Sequence, residues 1–290
     1  MFGFINVKKP KGITSFDVIY KLRKILKIKK IGHSGTLDPL ASGVLPIAVG
    51  GATRLIEYLS DDKKYVATIK FGQSSTTYDE EGEKTEFVEP DFTEADLLGA
   101  LEDFQGPILQ KPPAYSAIKI GGQKLYNLAR KGAQMPEVAK REVTVHDIKL
   151  LGFQSGQAEI EVHCSAGTYI RSIANDIGEK LGCGAYLADL SRTSAGRFEI
   201  EDTVEIEDVS EGSILNPLDV LVLPRYELSE EEFLRVKNGN FIKLEARLEE
   251  KFQAGTKISL AYLNKLAAIG VVFYNEAGII IKVEKGVSVE

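Results

Sequence analysis

The spacing of apolar side chains predicts a chain of short strands and a few amphipathic helices. Residues 4–7 have the composition of a strand, and residues 8–12 form a turn rich in lysine, proline and glycine. Thr14 or Ser15 then caps a helix. Its apolar side chains recur at the spacing of one helix face: Val18, Ile19, Leu22, Ile25 and Leu26. Basic residues occupy the other faces, so we expect this helix to bury one side and expose positive charge on the other.

The same reasoning predicts further elements along the chain. Alternating apolar positions predict three strands, over residues 65–71, 143–153 and 158–164. Helical spacing predicts three more helices, over residues 92–101, about 167–182 and 228–238. The apolar stripe of the middle one consists of Ile170, Ile173, Ala174 and Ile177. The sequence of residues 255–290 predicts small strands that are joined by turns containing glycine.

The composition is that of an ordinary globular protein, with 43% hydrophobic and 27% charged residues in 290. This length predicts one large domain and a small one. We find no apolar run long enough to span a membrane and no secretory signal after the N-terminal lysines. Cys164 and Cys183 are too few for a disulfide framework and indicate buried thiols in a reducing compartment. We therefore expect a cytoplasmic protein.

Charge is unevenly distributed along the chain, whose formal net charge is −6. Residues 1–30 carry eight lysines and one arginine against one aspartate, whereas residues 201–212 carry six acidic residues and no basic one. A basic arm on an acidic protein indicates a local contact with a polyanion, which repulsion elsewhere keeps selective. The alternative is an ordinary solvated helix face.

A second basic segment interrupts the strands between residues 124 and 141. Its basic residues are Lys124, Arg130, Lys131, Lys140 and Arg141, and Glu137 is its only acid. A basic segment with glycine and proline between two strands is a candidate loop for gripping RNA. A mobile solvated loop is the alternative.

Residues 32–46 form a shaped loop rather than a helix or a regular strand, because they contain three glycines and two prolines. The one acid of the loop, Asp38, lies between Leu37 and Pro39. From these residues alone, a turn-capping role for Asp38 is commoner than a reactive one.

This loop resembles the second sequence motif of the TruB family of pseudouridine synthases, G-H-x-G-x-L-D-P-x-A-x-G-x-L-P, at every specified position. Residues 9–15 resemble the family's first motif, and residues 167–192 resemble its third. Residues 72–82 resemble its G-x-x-T-x-T-x-D-x-x-G turn, with Ser75 in place of the first threonine. The resemblance spans residues 3 to about 197.

The resemblance implies an α+β protein with the pseudouridine synthase fold. This fold has a mixed, mostly antiparallel sheet, flanking helices and a central cleft. We expect a catalytic domain over residues 1–223 and a small, reduced, β-rich PUA-like RNA-binding domain over residues 224–290. The implied activity is isomerisation of uridine 55 in the T arm of tRNA to pseudouridine, after the base is flipped from its stack.

The resemblance also assigns the catalytic residues. Asp38 is implied to be the nucleophile, although attack at C1′, attack at C6 and a glycal route stay open. Arg171 is implied to keep Asp38 ionised in a partly dry site. Tyr65 is implied to stack on the flipped base, and its hydroxyl is a candidate proton relay.

Substrate contacts are implied for His33, Tyr169 and Leu190. His33 is expected to fill the vacated stack, Tyr169 to hydrogen-bond near Asp38 and Arg171, and Leu190 to contact the base. Lys8 and Lys9 join the basic segment as expected RNA contacts. The other histidines, His146 and His163, lie in strand patterns and are interpreted as structural.

No cofactor is expected, because the isomerisation has no redox step and the sequence shows neither a P-loop nor metal-ligand spacing. The expected partner is the T arm of tRNA, bound by a monomer that requires no protein partner. A tRNA-binding chaperone without catalysis is an alternative, which the presence of Asp38 and Arg171 disfavours. A hydrolase with paired carboxylates is another, but nothing in the sequence places Asp79 or Asp176 near Asp38.

Overall fold

The structure, a computed structural model, describes residues 1–113, 115, 119–120, 123–124, 138–244, 252–275 and 278–287. Its strands are β1 (Gly3–Lys9), β2 (Ile31–His33), β3 (Ser42–Val49), β4 (Lys63–Phe71), β5 (Gly106–Gln110), β6 (Lys119–Ile120), β7 (Gln123–Lys124), β8 (Arg141–Gln154), β9 (Gln157–Cys164), β10 (Ala185–Ala195), β11 (Phe198–Glu199), β12 (Arg225–Glu227), β13 (Ile242–Lys243), β14 (Lys257–Tyr262), β15 (Lys265–Asn275) and β16 (Gly278–Gly286). Its helices are α1 (Ser15–Leu26), α2 (Glu94–Glu102), α3 (Ile170–Lys180), α4 (Pro217–Val220) and α5 (Glu230–Lys237).

A nine-stranded sheet forms the body of the molecule, with the path β1-β3-β10-β4-β9-β8-β5 and with β2 and β11 paired to β3 and β10. β3 and β10 run parallel over two residue pairs, and the other described pairs of this sheet are antiparallel. The predicted mixed, mostly antiparallel sheet is therefore confirmed. β8 and β9, which cover two of the predicted strands, form an antiparallel hairpin.

Local signals determine where the helices begin. The Thr14 side chain accepts a hydrogen bond from the Asp17 backbone N–H, and the Asp17 carboxylate accepts one from the Thr14 N–H. Thr93 and Asp96 form the same reciprocal cap at the start of α2. In the ranges that the structure describes, no helix is both long and apolar enough to cross a membrane.

The predicted helix stripes pack against the main sheet. The four apolar residues of the α3 stripe are buried in the main core, as are Val18, Ile19, Leu22 and Leu26 of α1. Ile25 differs from the prediction, because it lies at the margin of the stripe in the last helical turn and stays 40% exposed.

The C-terminal part of the chain forms a second sheet of five strands in the order β12-β14-β15-β16-β13, with α5 beside it. Its apolar cluster includes Leu228, Val236, Ile258, Leu260 and Ile281. The chain therefore has a β-rich C-terminal domain, as predicted. The boundary at residue 224 and the PUA-like character stay predictions.

Candidate active site

The loop that carries Asp38, residues 34–41, is anchored on both sides of the carboxylate. Four hydrogen bonds from other parts of the chain fix its backbone. Three are accepted by loop carbonyls: Gly35 O from Arg192 Nη2 at 3.3 Å, Pro39 O from Gly12 N at 2.8 Å, and Ala41 O from Lys9 Nζ at 2.6 Å. The fourth is donated by the Leu37 backbone N–H to Ser15 Oγ at 2.8 Å. Leu37 is buried in the main core. Asp38 therefore projects from a segment whose neighbours are fixed, which suits a positioned reactive group.

Gly43 lets the end of this loop join the sheet. Its φ is +102°, and a Cβ added there would lie 2.2 Å from the Arg192 carbonyl oxygen. Gly43 pairs with Arg192 where β3 and β10 run parallel. A side chain at this position would push apart the two strands that hold the loop.

Asp38 forms an ion pair with Arg171 from the first turn of α3. Asp38 Oδ2 lies 2.8 Å from Arg171 Nη2, and the exposed fractions of the Asp38 and Arg171 side chains are 36% and 6%. Among the residues that the structure describes, no donor contacts Asp38 Oδ1. Asp38 therefore has one oxygen held by a buried cation and one that is free to meet a substrate.

A second carboxylate, Asp79, holds Arg171 from the opposite side. Asp79 Oδ2 lies 3.0 Å from Arg171 Nη1. The other carboxylate oxygen, Oδ1, accepts hydrogen bonds from the Thr77 hydroxyl and from the Glu81 backbone N–H, the latter at 3.1 Å. The Thr77 and Tyr115 carbonyl oxygens accept from the same guanidinium. Because Asp79 is 4% exposed and has partners on both oxygens, its role in the site is to position Arg171.

Asp38, Asp79 and Arg171 line a cleft of about 610 Å³, together with two further acidic residues, Glu81 and Glu83. Leu40, Thr76, Gly82 and Tyr115 line it as well. A larger cavity of about 810 Å³ lies between the N-terminal edge and the C-terminal domain, but no acidic side chain among the described residues lines it. We therefore place the candidate active site at Asp38.

Tyr65 lies at the start of β4, where the Asp38 charge acts on its phenol, but it is not among the residues that line the cleft. Its side chain is buried, and it pairs with Arg192 across the sheet. Burial raises the pKa of the Tyr65 phenol, while the Arg192 guanidinium opposes this shift and the Asp38 charge reinforces it. At neutral pH the phenol is protonated, so it can accept another proton only if it transfers its hydroxyl proton to an acceptor at the same time.

His33 lies on β2 and Leu190 on β10, and neither lines the cleft around Asp38. His33 ends β2 and is half-buried, and burial lowers its pKa with a further contribution from the Arg192 charge. His33 is therefore neutral at physiological pH, which fits a packing role better than a charged one. Leu190 is buried in β10 opposite Ala67.

Tyr169 does not make the predicted hydrogen bond near Asp38 and Arg171. Its backbone N–H donates to Gln110 Oε1 at 2.7 Å, and its carbonyl accepts from Gln110 Nε2 at 2.9 Å. The Arg141 guanidinium lies 4.9 Å from the centre of its ring. Gln110 thus fixes the backbone immediately before α3, where Arg171 follows.

Lys9 corrects a prediction made from charge alone. Its side chain is buried, and its ammonium donates to the Ala41 and Pro10 carbonyls, so it cannot meet an RNA phosphate at the surface. Burial lowers the pKa of Lys9 to about 8, although the Asp38 charge opposes this shift. Lys8 is exposed, but its ammonium pairs with Glu205 at 2.8 Å.

The basic segment is described only in part. Arg130 and Lys131 lie outside the described residues, and so does the side chain of Lys124. Lys140 is exposed. Arg141 donates to the Gly167 carbonyl and stacks on Tyr169, so it already has a structural role.

Two residues of this site were missed by the sequence reasoning. Asp79 was considered only as the second acid of a hydrolase, although the family motif over residues 72–82 specifies an aspartate at this position. Arg192 closes the third motif, and its buried side chain donates hydrogen bonds to the Gly35 carbonyl of the Asp38 loop and to the Val44 carbonyl of β3. An arginine in a strand whose other residues are typical of a buried core could have indicated this structural role.

Solved structures with a similar fold were found. One is a Cbf5-Nop10-Gar1 complex, which matches at 28% identity and a TM-score of 0.73 over 98% of this chain and 84% of that one. Another is an H/ACA RNP bound to a substrate RNA containing 2′-deoxyuridine, at 26% identity and a TM-score of 0.72, with the same coverage.

The sequence comparisons point to one family. The model of the TruB family pseudouridylate synthase N-terminal domain matches residues 23–170, and that of the tRNA pseudouridylate synthase B C-terminal domain matches residues 171–225. A tRNA pseudouridine synthase B of Clostridium tetani is 42% identical over 93% of this chain and 95% of its own. One from Dehalococcoides mccartyi is 44% identical over 84% and 85%.

The site and the fold thus define an enzyme of the pseudouridine synthase class. The chain belongs to the TruB family of pseudouridylate synthases. The predicted fold, family and class of enzyme are therefore confirmed, and the chemistry to be explained is the isomerisation of uridine in tRNA.

Proposed function

We propose that this protein converts uridine 55 in the T loop of tRNA to pseudouridine, with Asp38 as the nucleophile. Membership of the family supports tRNA pseudouridylation. The observation that supports the aspartate is its pairing with Arg171: an anchored, partly exposed carboxylate in a cleft, with one oxygen held and one free. A protein that only binds RNA gains nothing from a carboxylate beside the phosphates, because the two repel.

The buried Arg171 guanidinium joins the two carboxylates of the cleft, because it pairs with Asp79 through one terminal nitrogen and with Asp38 through the other. The Arg171 guanidinium is pinned by Asp79 and by the Thr77 and Tyr115 carbonyls, which orients its second edge toward Asp38. Because the fork is preorganised, little reorganisation is needed when a substrate enters.

The reaction breaks the N1–C1′ bond, turns the freed base and joins C5 to C1′. A proton leaves C5 and one is added to N1, so all atoms are conserved and no electron acceptor or cofactor is consumed. Asp38 either holds a fragment covalently or stabilises charge at C1′ during the rotation. The three routes through C1′, through C6 and through a glycal all begin with the free oxygen of Asp38 directed at the nucleotide.

Tyr65, His33, Tyr169 and Leu190 complete the proposed site. The Tyr65 ring offers a stacking face, and its hydroxyl relays the proton lost from C5 by accepting it while its own proton passes on toward N1, which gains one. Leu190 supplies an apolar wall, and neutral His33 occupies the gap left in the RNA stack. Tyr169, held by Gln110 and Arg141, supports the backbone from which Arg171 projects.

The RNA-facing surfaces of the proposal are Lys8 and the basic segment over residues 124–141, which would contact the T arm. The enzyme acts as a monomer in the cytoplasm without a protein partner. The C-terminal domain, from residue 224, is a further RNA-binding module. The charge of these segments and the family resemblance of the sequence support these proposals.

The decisive experiment maps pseudouridine along an unmodified tRNA transcript after incubation with the purified protein. We expect one new pseudouridine, at position 55, and none in a transcript with cytidine at that position. Modification at another uridine would overturn the assignment of the site. Tight binding of the transcript without any pseudouridine would favour a tRNA chaperone instead.

A further inference from the structure

Three metal-ligating side chains meet outside the candidate active site, on the exposed face of the main sheet. They are Asp62, just before β4, His146 of β8 and His163 of β9, and their candidate ligand atoms all lie within 4.8 Å of one another. His146 Nε2 is 3.2 Å from Asp62 Oδ1, and the two imidazole ring centres are 4.8 Å apart. The sequence did not reveal this cluster, because long stretches of chain separate its members.

A β-bulge brings the two histidines together. The β8–β9 register shifts between Val145 and Asp147, so that His146 is an extra residue in its strand, while His163 pairs with Asp147. A bulge of this kind redirects a side chain. Asp62 is held beside them, because its carbonyl accepts a hydrogen bond from Gly196 N at 2.9 Å.

We propose that Asp62, His146 and His163 form a surface site for a divalent transition-metal ion such as Zn²⁺. Two imidazole nitrogens and one carboxylate oxygen suit zinc, copper or nickel, whereas calcium and magnesium prefer oxygen ligands. With metal–ligand bonds of about 2.0–2.1 Å, tetrahedral ligand atoms lie roughly 3.4 Å apart. The Asp62–His146 contact is already near this spacing, and side-chain rotation closes the wider ones.

The surrounding charges set the expected strength of this site. Lys64 of β4 faces His163 across the sheet and its charge disfavours a cation, but solvent screens this charge because the side chain is exposed. Asp147 faces His163 from β8 and pairs with Lys149 at 2.6 Å. Three protein ligands leave at least one position for water. We therefore expect a reversible site of moderate affinity.

The site is separate from the cleft, since none of its three ligands lines the space around Asp38. A metal ion there would join the β8–β9 hairpin to the segment that leads into β4. An ion that binds the folded chain and not the unfolded one stabilises the fold by mass action. The role of the site is thus to brace the sheet, and its readouts are metal binding and thermal stability.

The test uses the full-length protein after treatment with a chelator and dialysis. Zn²⁺ is added and followed by calorimetry, Co²⁺ is added and followed by its absorption spectrum, and the melting temperature is measured with and without Zn²⁺. We expect saturable binding of one ion per chain, a cobalt spectrum typical of low coordination number, and a higher melting temperature with zinc.

The variants assign the ligands. His146→Gln and His163→Gln should each weaken zinc binding by at least roughly tenfold, since loss even of an outer partner costs 10–100-fold in metal affinity. Asp62→Asn should weaken it as well, and His33→Gln, which alters the remaining histidine, should not. Circular dichroism verifies that each variant is folded. Absence of one-to-one binding, or binding that survives both histidine substitutions, would overturn the proposal.

Discussion

Asp79 Oδ2 lies 3.0 Å from Arg171 Nη1, and both side chains are almost inaccessible to solvent, with exposed fractions of 4% and 6%. Arg171 uses its other terminal nitrogen to hold Asp38 at the edge of the cleft. The guanidinium thus joins a buried acid to a partly exposed acid that lines the same cleft.

Asp79→Asn should lower both turnover and stability. It leaves Arg171 with a weaker partner, and breaking a buried ion pair costs up to about 3–5 kcal/mol. We expect the lower end, because Arg171 keeps Asp38. Turnover should fall by roughly 10²-fold through misalignment of the fork, while the KM for tRNA changes little. Steady-state kinetics and denaturant unfolding measure both effects.

Asp176→Asn is the matched control for Asp79. Asp176 is half-buried on α3, close to Arg171 in sequence, but does not line the cleft. Its substitution should leave turnover near the wild-type value. Equal loss of turnover in both variants would mean that any change at α3 disturbs the site, and Asp79 would lose its specific role.

Tyr65 can be tested by separating its ring from its hydroxyl. Tyr65→Phe keeps the ring and should bind tRNA normally but lose turnover by about 10²–10⁴-fold, the range of positioned acid–base groups. Tyr65→Leu should also lose affinity, because stacking on an aromatic ring is worth roughly 1–3 kcal/mol. Single-turnover kinetics and binding assays distinguish the two effects. Near-native turnover of the phenylalanine variant would reduce Tyr65 to a stacking platform.

The basic segment should control the salt dependence of tRNA binding. Replacing Lys124, Arg130, Lys131 and Lys140 with glutamine should weaken binding and flatten its dependence on salt, since each lost phosphate contact reduces the slope by about 0.7–0.9. Adding Arg141→Gln should also disturb Tyr169, which it contacts. The control replaces Lys149 and Lys180, which pair with Asp147 and Asp103. An unchanged slope in the four-residue variant would make the segment a solvated loop.

Lys9 should make stability depend on pH in the mildly alkaline range. Burial lowers its pKa from 10.5 to about 8. Between these values the unfolded chain retains a proton that the folded protein has released, so the free energy of unfolding should rise with pH. Lys9→Met should lack this rise, and Lys8→Met, at an exposed neighbour, should retain it. Denaturant unfolding at several pH values compares them, and parallel profiles for wild type and Lys9→Met would contradict the buried ammonium.

Local patterns predicted the elements well, because their causes lie within a few residues. The Thr14–Asp17 cap fixes the start of α1, and the α3 stripe identifies the face that packs on the sheet. The Asp38 motif identified the loop that lines the cleft. In each case the sequence contains the whole interaction or a long specific motif.

Contacts between distant segments were not predictable in the same way. Charge alone placed Lys9 at the surface, whereas the structure buries its ammonium against the Ala41 carbonyl. The positions of Asp79 and Arg192 depend on how the turn after β4 and strand β10 meet the Asp38 loop. The Asp62, His146 and His163 cluster depends on a bulge that leaves no mark in the sequence pattern.

The most direct test of the account is single-turnover formation of pseudouridine at position 55 by Asp38→Asn, measured together with its affinity for tRNA. The substitution removes the negative charge at nearly constant shape, and Asp103→Asn, at an exposed acid paired with Lys180, serves as the control. We predict no detectable product from Asp38→Asn, tRNA affinity close to that of the wild type, and normal turnover by the control. Product formation by a verified Asp38→Asn protein would contradict the claim that Asp38 is the nucleophile.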